Sequence, residues 1–250
     1  MLHLGRNNPH HKYTIKEGDK DVPLTTTDCE KDLGVNVDSM LNFSTHISGL
    51  IKKARCVSAM LLRNFTYKSS NVLVPLFKSL IRPHLEYANA VWCPYLKKDI
   101  ERIEKVQRHF TKRIDGLKDL SYQQRLQEIN LPSLEYRRVR GDLIEVYKIT
   151  HNIYDQLSTK SLLTIDNKKR TRLDTNPYRL TKPQVNKKQS LMFFTNRIVD
   201  LWNNLPLNVV NAESVNVFKN EIDNYLKTYM FSTNFSFNLY IHHNEETKFY

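Results

Sequence analysis

Six cations in this 250-residue chain recur at helical spacing: Lys98, Arg102, Lys105, His109, Lys112 and Arg113. At 100° per residue they fall on one face of the segment Lys97 to Ile114, and Ile100, Ile103, Val106, Phe110 and Ile114 fall on roughly the opposite face. Glu101 and Glu104 lie to one side. A solvated helix usually interleaves its charges so that they pair at i,i+4. Here the cations are nearly unopposed, and such a row can follow a phosphate backbone. A solvated face with a basic bias gives the same pattern. A second group, Arg137, Arg138 and Arg140, stands near the start of another helical pattern, where positive charge opposes the helix dipole. Placement against the dipole points to an anionic partner.

Catalytic constellations are missing. The sequence holds no HExxH, GxSxG or GxxxxGK[ST]. Two-metal polymerase or nuclease chemistry needs carboxylates held together around the ions, and no Asp-Asp pair occurs. Asp28, Glu30 and Asp32 alternate and would share one face of an extended segment, but no second acidic cluster accompanies them. His10-His11 and His242-His243 are adjacent pairs without partners at i+4 and read as exposed polar residues. The three cysteines, Cys29, Cys56 and Cys93, form no CxxC pair, so neither a zinc site nor a disulfide framework is expected. Cys56 and Cys93 read as core residues.

Composition narrows the classes further. With 40% hydrophobic and 10% aromatic residues the chain has material for a core. Six glycines argue against a turn-rich all-β fold. A net charge of +12 draws polyanions at long range. No apolar run reaches the length of a membrane span, and MLHLGRNNPHHK lacks the apolar core of a secretory signal. An intracellular setting, cytoplasmic or nuclear, is expected, with no membrane and no small-molecule substrate.

The hydrophobic period divides the chain. Residues 1–42 read as short strands: KYTI pairs across a turn at Gly18-Asp19, and LGVNV places Leu33, Val35 and Val37 on one face. From 43 the period becomes helical. Ser44 is the expected N-cap, followed by Ile47, Leu50, Ile51, Ala54, Val57, Leu61 and Phe65, with Lys52, Lys53, Arg55 and Arg63 supplying basic positions. A helix after Ser70 meets Pro83, which must kink or break it. Asp119 or Ser121 opens a further helix, and 134–154 forms another. Residues 160–190 read as an extended, mobile basic linker, 191–229 as a helical hairpin and 230–250 as a poorly ordered tail or short strand. The expected fold is mainly α, with short N-terminal β-strands, a helical bundle over 43–159 and a smaller C-terminal helical hairpin.

LGVNVDSMLNFSTHI at 33–47 and FKSLIRPHLEYANAVWCPYLKKDIERIEKVQRHFTKRI at 77–114 resemble the region downstream of the catalytic palm in reverse transcriptases of non-LTR (LINE-type) retrotransposons. The resemblance continues through LSYQQRLQEINLPSLEYRRVRGDLIEVYKI and FFTNRIVDLWNNLPLNVVNAESVNVFKNEIDNYL, in family order, over most of 24–228. It implies that residues 1–42 are the end of the palm, that 43–159 are a helical thumb, and that the partner is an RNA/DNA template–primer duplex held by its backbone. Lys98, Arg102, Lys105, Lys112, Arg113, Arg137, Arg138 and Arg140 are then the expected phosphate contacts. The family's Asp-Asp motif is missing, so no catalytic residue carries over. Magnesium is expected only with the complete parent enzyme, and this chain is expected to need no cofactor and to be no enzyme alone. Two other readings stand beside it: a domesticated helical protein-interaction module, and a transposon remnant without function.

Overall fold

The computed structural model describes residues 1–5, 7–155, 159, 161–166, 176–185 and 188–232. The expected histidine pair at 242–243, the cations at 167–175 and the tail from 233 lie outside them. The fold is mainly α, with short strands at the N-terminal end.

Strands β1 (Thr14–Glu17) and β2 (Lys20–Pro23) form an antiparallel hairpin with Ile15 opposite Val22. Gly18, at φ 63°, takes the first central turn position, which a type II′ turn requires. Strands β3 (Cys29–Asp32) and β4 (Val35–Asp38) form a second hairpin. Its two-residue turn is Leu33-Gly34, both at positive φ (43° and 87°). Leu33 is therefore a turn residue, 86% exposed, and not the first member of a buried alternation. Val35 and Val37 do face the core.

Asp38 closes the second hairpin and launches the helical part. Its carboxylate accepts from the backbone N–H of Met40, Asn42 and Phe43. Helix α1 (Ser44–Asn64) follows, with Phe43 at the cap position in the left-handed region. Ser44 is thus the first helical residue and not the N-cap. Asp38 ties down the backbone that leads into α1, whose own first turn has no side-chain cap. Helix α1 buries His46, Ile47, Leu50, Ile51, Ala54, Ser58 and Leu61, and this phase leaves Cys56 exposed, against the expectation of a core cysteine. Cys93 is half-buried.

The helical run from Ser70 does not break at Pro83. Helix α2 (Ser70–Leu76) passes through a π-helical turn (Phe77–Ile81) into α3 (Arg82–Glu86), with Pro83 in its first turn. The widened π-helical turn directly ahead of Pro83 offsets the hydrogen-bond ladder where proline has no N–H to donate, so the run continues. After the short α4 (Asn89–Trp92) comes α5 (Lys97–Thr111). Helix α6 (Tyr122–Glu128) opens on a capping box between Ser121 and Gln124. Helix α7 (Leu134–Thr150) opens on Ser133.

Two cores result. The first joins β4, α1, the α2–α3 run and α5, with Phe77 and Phe110 rings 5.1 Å apart. After the short α8 (Lys188–Leu191), the second joins α7 to the helices α9 (Phe194–Arg197), α10 (Val199–Asn203), α11 (Leu207–Val210) and α12 (Val215–Tyr225). Tyr147 stacks on Phe218 at 4.2 Å, and Trp202 lies 5.9 Å from the same ring. The second core therefore crosses the expected boundary at residue 159. It also holds both described ends of the expected linker: Leu163 and Leu180 are buried, Ile165 bridges Leu180, and Tyr178 O accepts from Trp202 Nε1 at 2.8 Å.

Candidate nucleic-acid interface

Helix α5 is built as its period dictates. Ile103, Val106, Phe110 and Ile114 are buried, and Ile100 is half-buried. Lys98, Arg102, Lys105, Arg108, His109, Lys112 and Arg113 are exposed. Lys98, Lys105, Lys112 and Arg113 have no carboxylate partner among the described residues. Arg102 reaches Asp99 Oδ1 at 2.8 Å and Ser48 Oγ at 3.0 Å, and Arg108 lies over the Tyr122 ring at 4.9 Å. Lys112 and Arg113 follow the last helical turn, where positive charge also suits the dipole.

Glu104 departs from its expected place at the side of this face. It is buried, and its carboxylate seats the start of α7. Oε1 accepts from Tyr122 Oη at 2.6 Å and Leu134 N at 3.2 Å, and Oε2 accepts from Glu135 N at 3.3 Å. Ser133 Oγ takes the next donor, Tyr136 N. Burial pushes the Glu104 carboxyl above its ordinary range, although nearby Arg138 and these hydrogen bonds pull the other way. An anion at a helix N-terminus is electrostatically favoured.

The arginines of α7 are placed differently from those of α5. Arg137 forms a two-toothed pair with Glu86, which Arg82 also approaches at 3.7 Å. Arg140 grips Asp223 through Nε and Nη2 at 2.5 and 2.8 Å, and Tyr136 Oη donates to the same carboxylate at 2.7 Å. Arg138 is 4% exposed and lies in the field of Glu104 and Asp142. Asp142 is itself bound by Arg197 through Nε and Nη2 at 2.8 and 3.0 Å. Arg197 also donates to the carbonyls of Met192 and Ala90. Two members of the cluster that opposes the helix dipole are thus compensated from inside the protein, by Glu86 and Asp223, while the third, Arg138, is buried with no hydrogen-bond partner at either Nη among the described residues. For Arg137 and Arg140 an internal carboxylate stands where their position along the sequence suggested an anionic partner.

Sequence period alone did not single out Arg55. It lies with Ser58, Ala59 and Leu62 of α1 and Lys105, Val106 and His109 of α5 around one open groove of about 350 Å³. The signal was present in the basic positions of α1, but only packing shows that they stand beside α5. Among the described residues no group of three or more His, Cys, Asp or Glu is placed to hold a metal ion. Asp28, Glu30 and Asp32 are all exposed. No helix among the described residues is long and apolar enough to cross a membrane.

No protein-family model matches the chain, and no solved structure matches it significantly. It is similar to an uncharacterized protein of Caenorhabditis elegans, 27% identical over 125 residues, which are 49% of this chain and 61% of the relative. The chain thus spans less than two thirds of that relative's length.

Proposed function

We propose that this chain is the thumb-side part of a non-LTR retrotransposon reverse transcriptase, and that it binds an RNA/DNA template–primer duplex by the phosphate backbone without polymerising on its own. The observation that carries the binding is the exposed face of α5, where Lys98, Lys105, Lys112 and Arg113 stand without carboxylate partners among the described residues. Arg102 belongs to the same face, tethered to Asp99 and Ser48. Arg137 and Arg140 are left out of the interface because internal carboxylates engage them, and Arg138 because it is buried. The family assignment is supported by the ordered resemblance over most of 24–228. No step through a metal is assigned to this chain.

Contacts of lysine and arginine with phosphate fix position and carry no sequence information. Each neutralised phosphate releases counterions, so log affinity falls with log salt at a slope of about −0.9 per contact, and five cations give roughly −4 to −5. A fluorescence-anisotropy titration of labelled duplex across a salt series reads this slope. The expected result is a steep slope, little dependence on base sequence, and no primer extension with magnesium. A flat salt dependence overturns the binding, and synthesis by this chain overturns the reading of its missing carboxylates.

A further inference from the structure

The α5 face is one side of a larger feature. Helices α1 and α5 run side by side in the same direction. Ser44 Oγ donates to Asp99 Oδ2, Arg102 donates to Ser48 Oγ, and further along Arg55 and Leu62 share a groove with Lys105 and His109. Helix α1 has no acidic residue in its 21 positions and carries Lys52, Lys53, Arg55 and Arg63, all exposed. At 100° per residue Lys52, Arg55, Ala59 and Arg63 fall within an arc of about 80°, on the flank turned towards α5. Lys53 points to the other flank, where its charge acts on His46. The groove between the helices therefore has a cationic rim on each side, and Ala59, Leu62 and Val106 among its lining.

We infer that the groove between α1 and α5 seats one strand of nucleic-acid backbone, with Arg55, Lys52 and Arg63 on one rim and Lys105, His109 and Arg113 on the other. This rests on the proposed backbone binding and gives it a site. Charge complementarity selects the occupant. Phosphates along a strand meet donors on both rims, while the less polar sugar faces lie on the lining. An isolated row on α5 would touch phosphates from one side only. The two-rim arrangement makes Arg55 a binding residue although it lies 43 positions or more from every cation of α5 that the period singled out.

Four variants test the site, Lys105→Glu on the α5 rim and three on α1, with circular dichroism melts to show that each folds. Arg55→Glu reverses a charge on the α1 rim. Ala59→Trp blocks the groove without changing charge. Lys53→Glu makes the same charge change as Arg55→Glu but on the far flank of α1. The probe is a fluorescein-labelled 16-base-pair RNA/DNA duplex at fixed salt, with poly-glutamate as a competing polyanion. Arg55→Glu and Ala59→Trp should each weaken binding about tenfold or more, and Lys53→Glu less than threefold. If Lys105→Glu weakens binding while Arg55→Glu and Ala59→Trp behave like Lys53→Glu, the groove is overturned and the α5 face stands. If the unaltered protein binds no duplex, the proposed function fails and the groove with it. If poly-glutamate displaces the duplex at equal charge concentration, the groove is a seat for acidic protein segments and this inference is wrong.

Discussion

Two clusters of cations, on α5 and on α7, look alike in one dimension and differ in three. The α5 cations stand on a helix whose buried side is apolar apart from Asp99, Glu104, Gln107 and Thr111, and their own charges face water. The α7 cations stand on a helix wedged between two cores, where Arg137 and Arg140 are turned towards carboxylates and Arg138 is buried. Arg137 meets Glu86, 51 positions away, and Arg140 meets Asp223, 83 positions away. A basic cluster therefore advertises a polyanion only when its side of the helix is free. On α7 Arg137 and Arg140 tie distant elements together, and on α5 four cations stand without carboxylate partners among the described residues.

The largest effect is expected at the Asp142–Arg197 pair, on the scaffold side of that contrast. Both side chains are almost fully buried, at 1% and 2% exposure. Arg197→Met leaves Asp142 in the interior without its counter-ion, to be held charged or protonated at a cost, and about 3–5 kcal/mol of stability should be lost, read from the urea midpoint. Duplex affinity of the fraction still folded should change less than twofold.

On the α5 side, reversing Lys98, Lys105, Lys112 and Arg113 together to Glu should weaken duplex binding about 100-fold at 0.1 M salt, equivalent to about 2.7 kcal/mol. Stability should stay within about 0.5 kcal/mol per site, because these are surface positions without internal partners. Anisotropy and a thermal melt on the same sample separate the two effects.

Arg140→Met probes the contrast from the α7 side. Its pair with Asp223 is partly exposed, so the loss should be about 1 kcal/mol after allowance for solvent screening. The salt slope of duplex binding should not move. A slope shallower by about 1 would put Arg140 in contact with phosphate and erase the distinction between the helices.

The smallest effect is in pH. Burial holds Glu104 above its ordinary range, so the folded state binds that proton more tightly than the unfolded chain. Its contribution to stability therefore falls as pH rises above the unfolded value of about 4.3, and Glu104→Gln should remove that decline. Asp223 has the opposite sign. Burial pulls it up, but hydrogen bonds from Arg140 and Tyr136 outweigh burial and hold it low. Its contribution is present above the unfolded value of about 3.9 and is lost as pH falls through the lower folded value. Asp223→Asn should flatten the acid side of a plot of urea midpoint against pH.

Much of the local structure was legible because it depends on neighbours in sequence. The hairpin turn at Gly18-Asp19, the start of α6 at Ser121 (one of the two candidates, with Asp119) and the apolar stripe of α5 all follow from residues within a few turns of one another. The errors arose where a residue answers to something outside its own element. Ser44 does not cap α1 because the turn that Asp38 holds at 38–43 puts Phe43 at the cap position. Leu33 keeps the right parity for a buried strand but sits in the turn that the pairing of β3 with β4 imposes. Glu104 reads as a flank residue until the start of α7 is brought against it.

Order and composition along the chain dictated the helical period, the charge of the α5 face and the resemblance on which the proposed family rests. Which cations are satisfied and which are free was settled only by packing in space. An ion pair is a relation between residues close in space and often far apart in sequence, and charge falls off with distance through space, not along the chain. For that reason Arg137 and Arg140 became part of the scaffold, while Arg55 joined Lys105 and His109 at a groove that no local pattern announced.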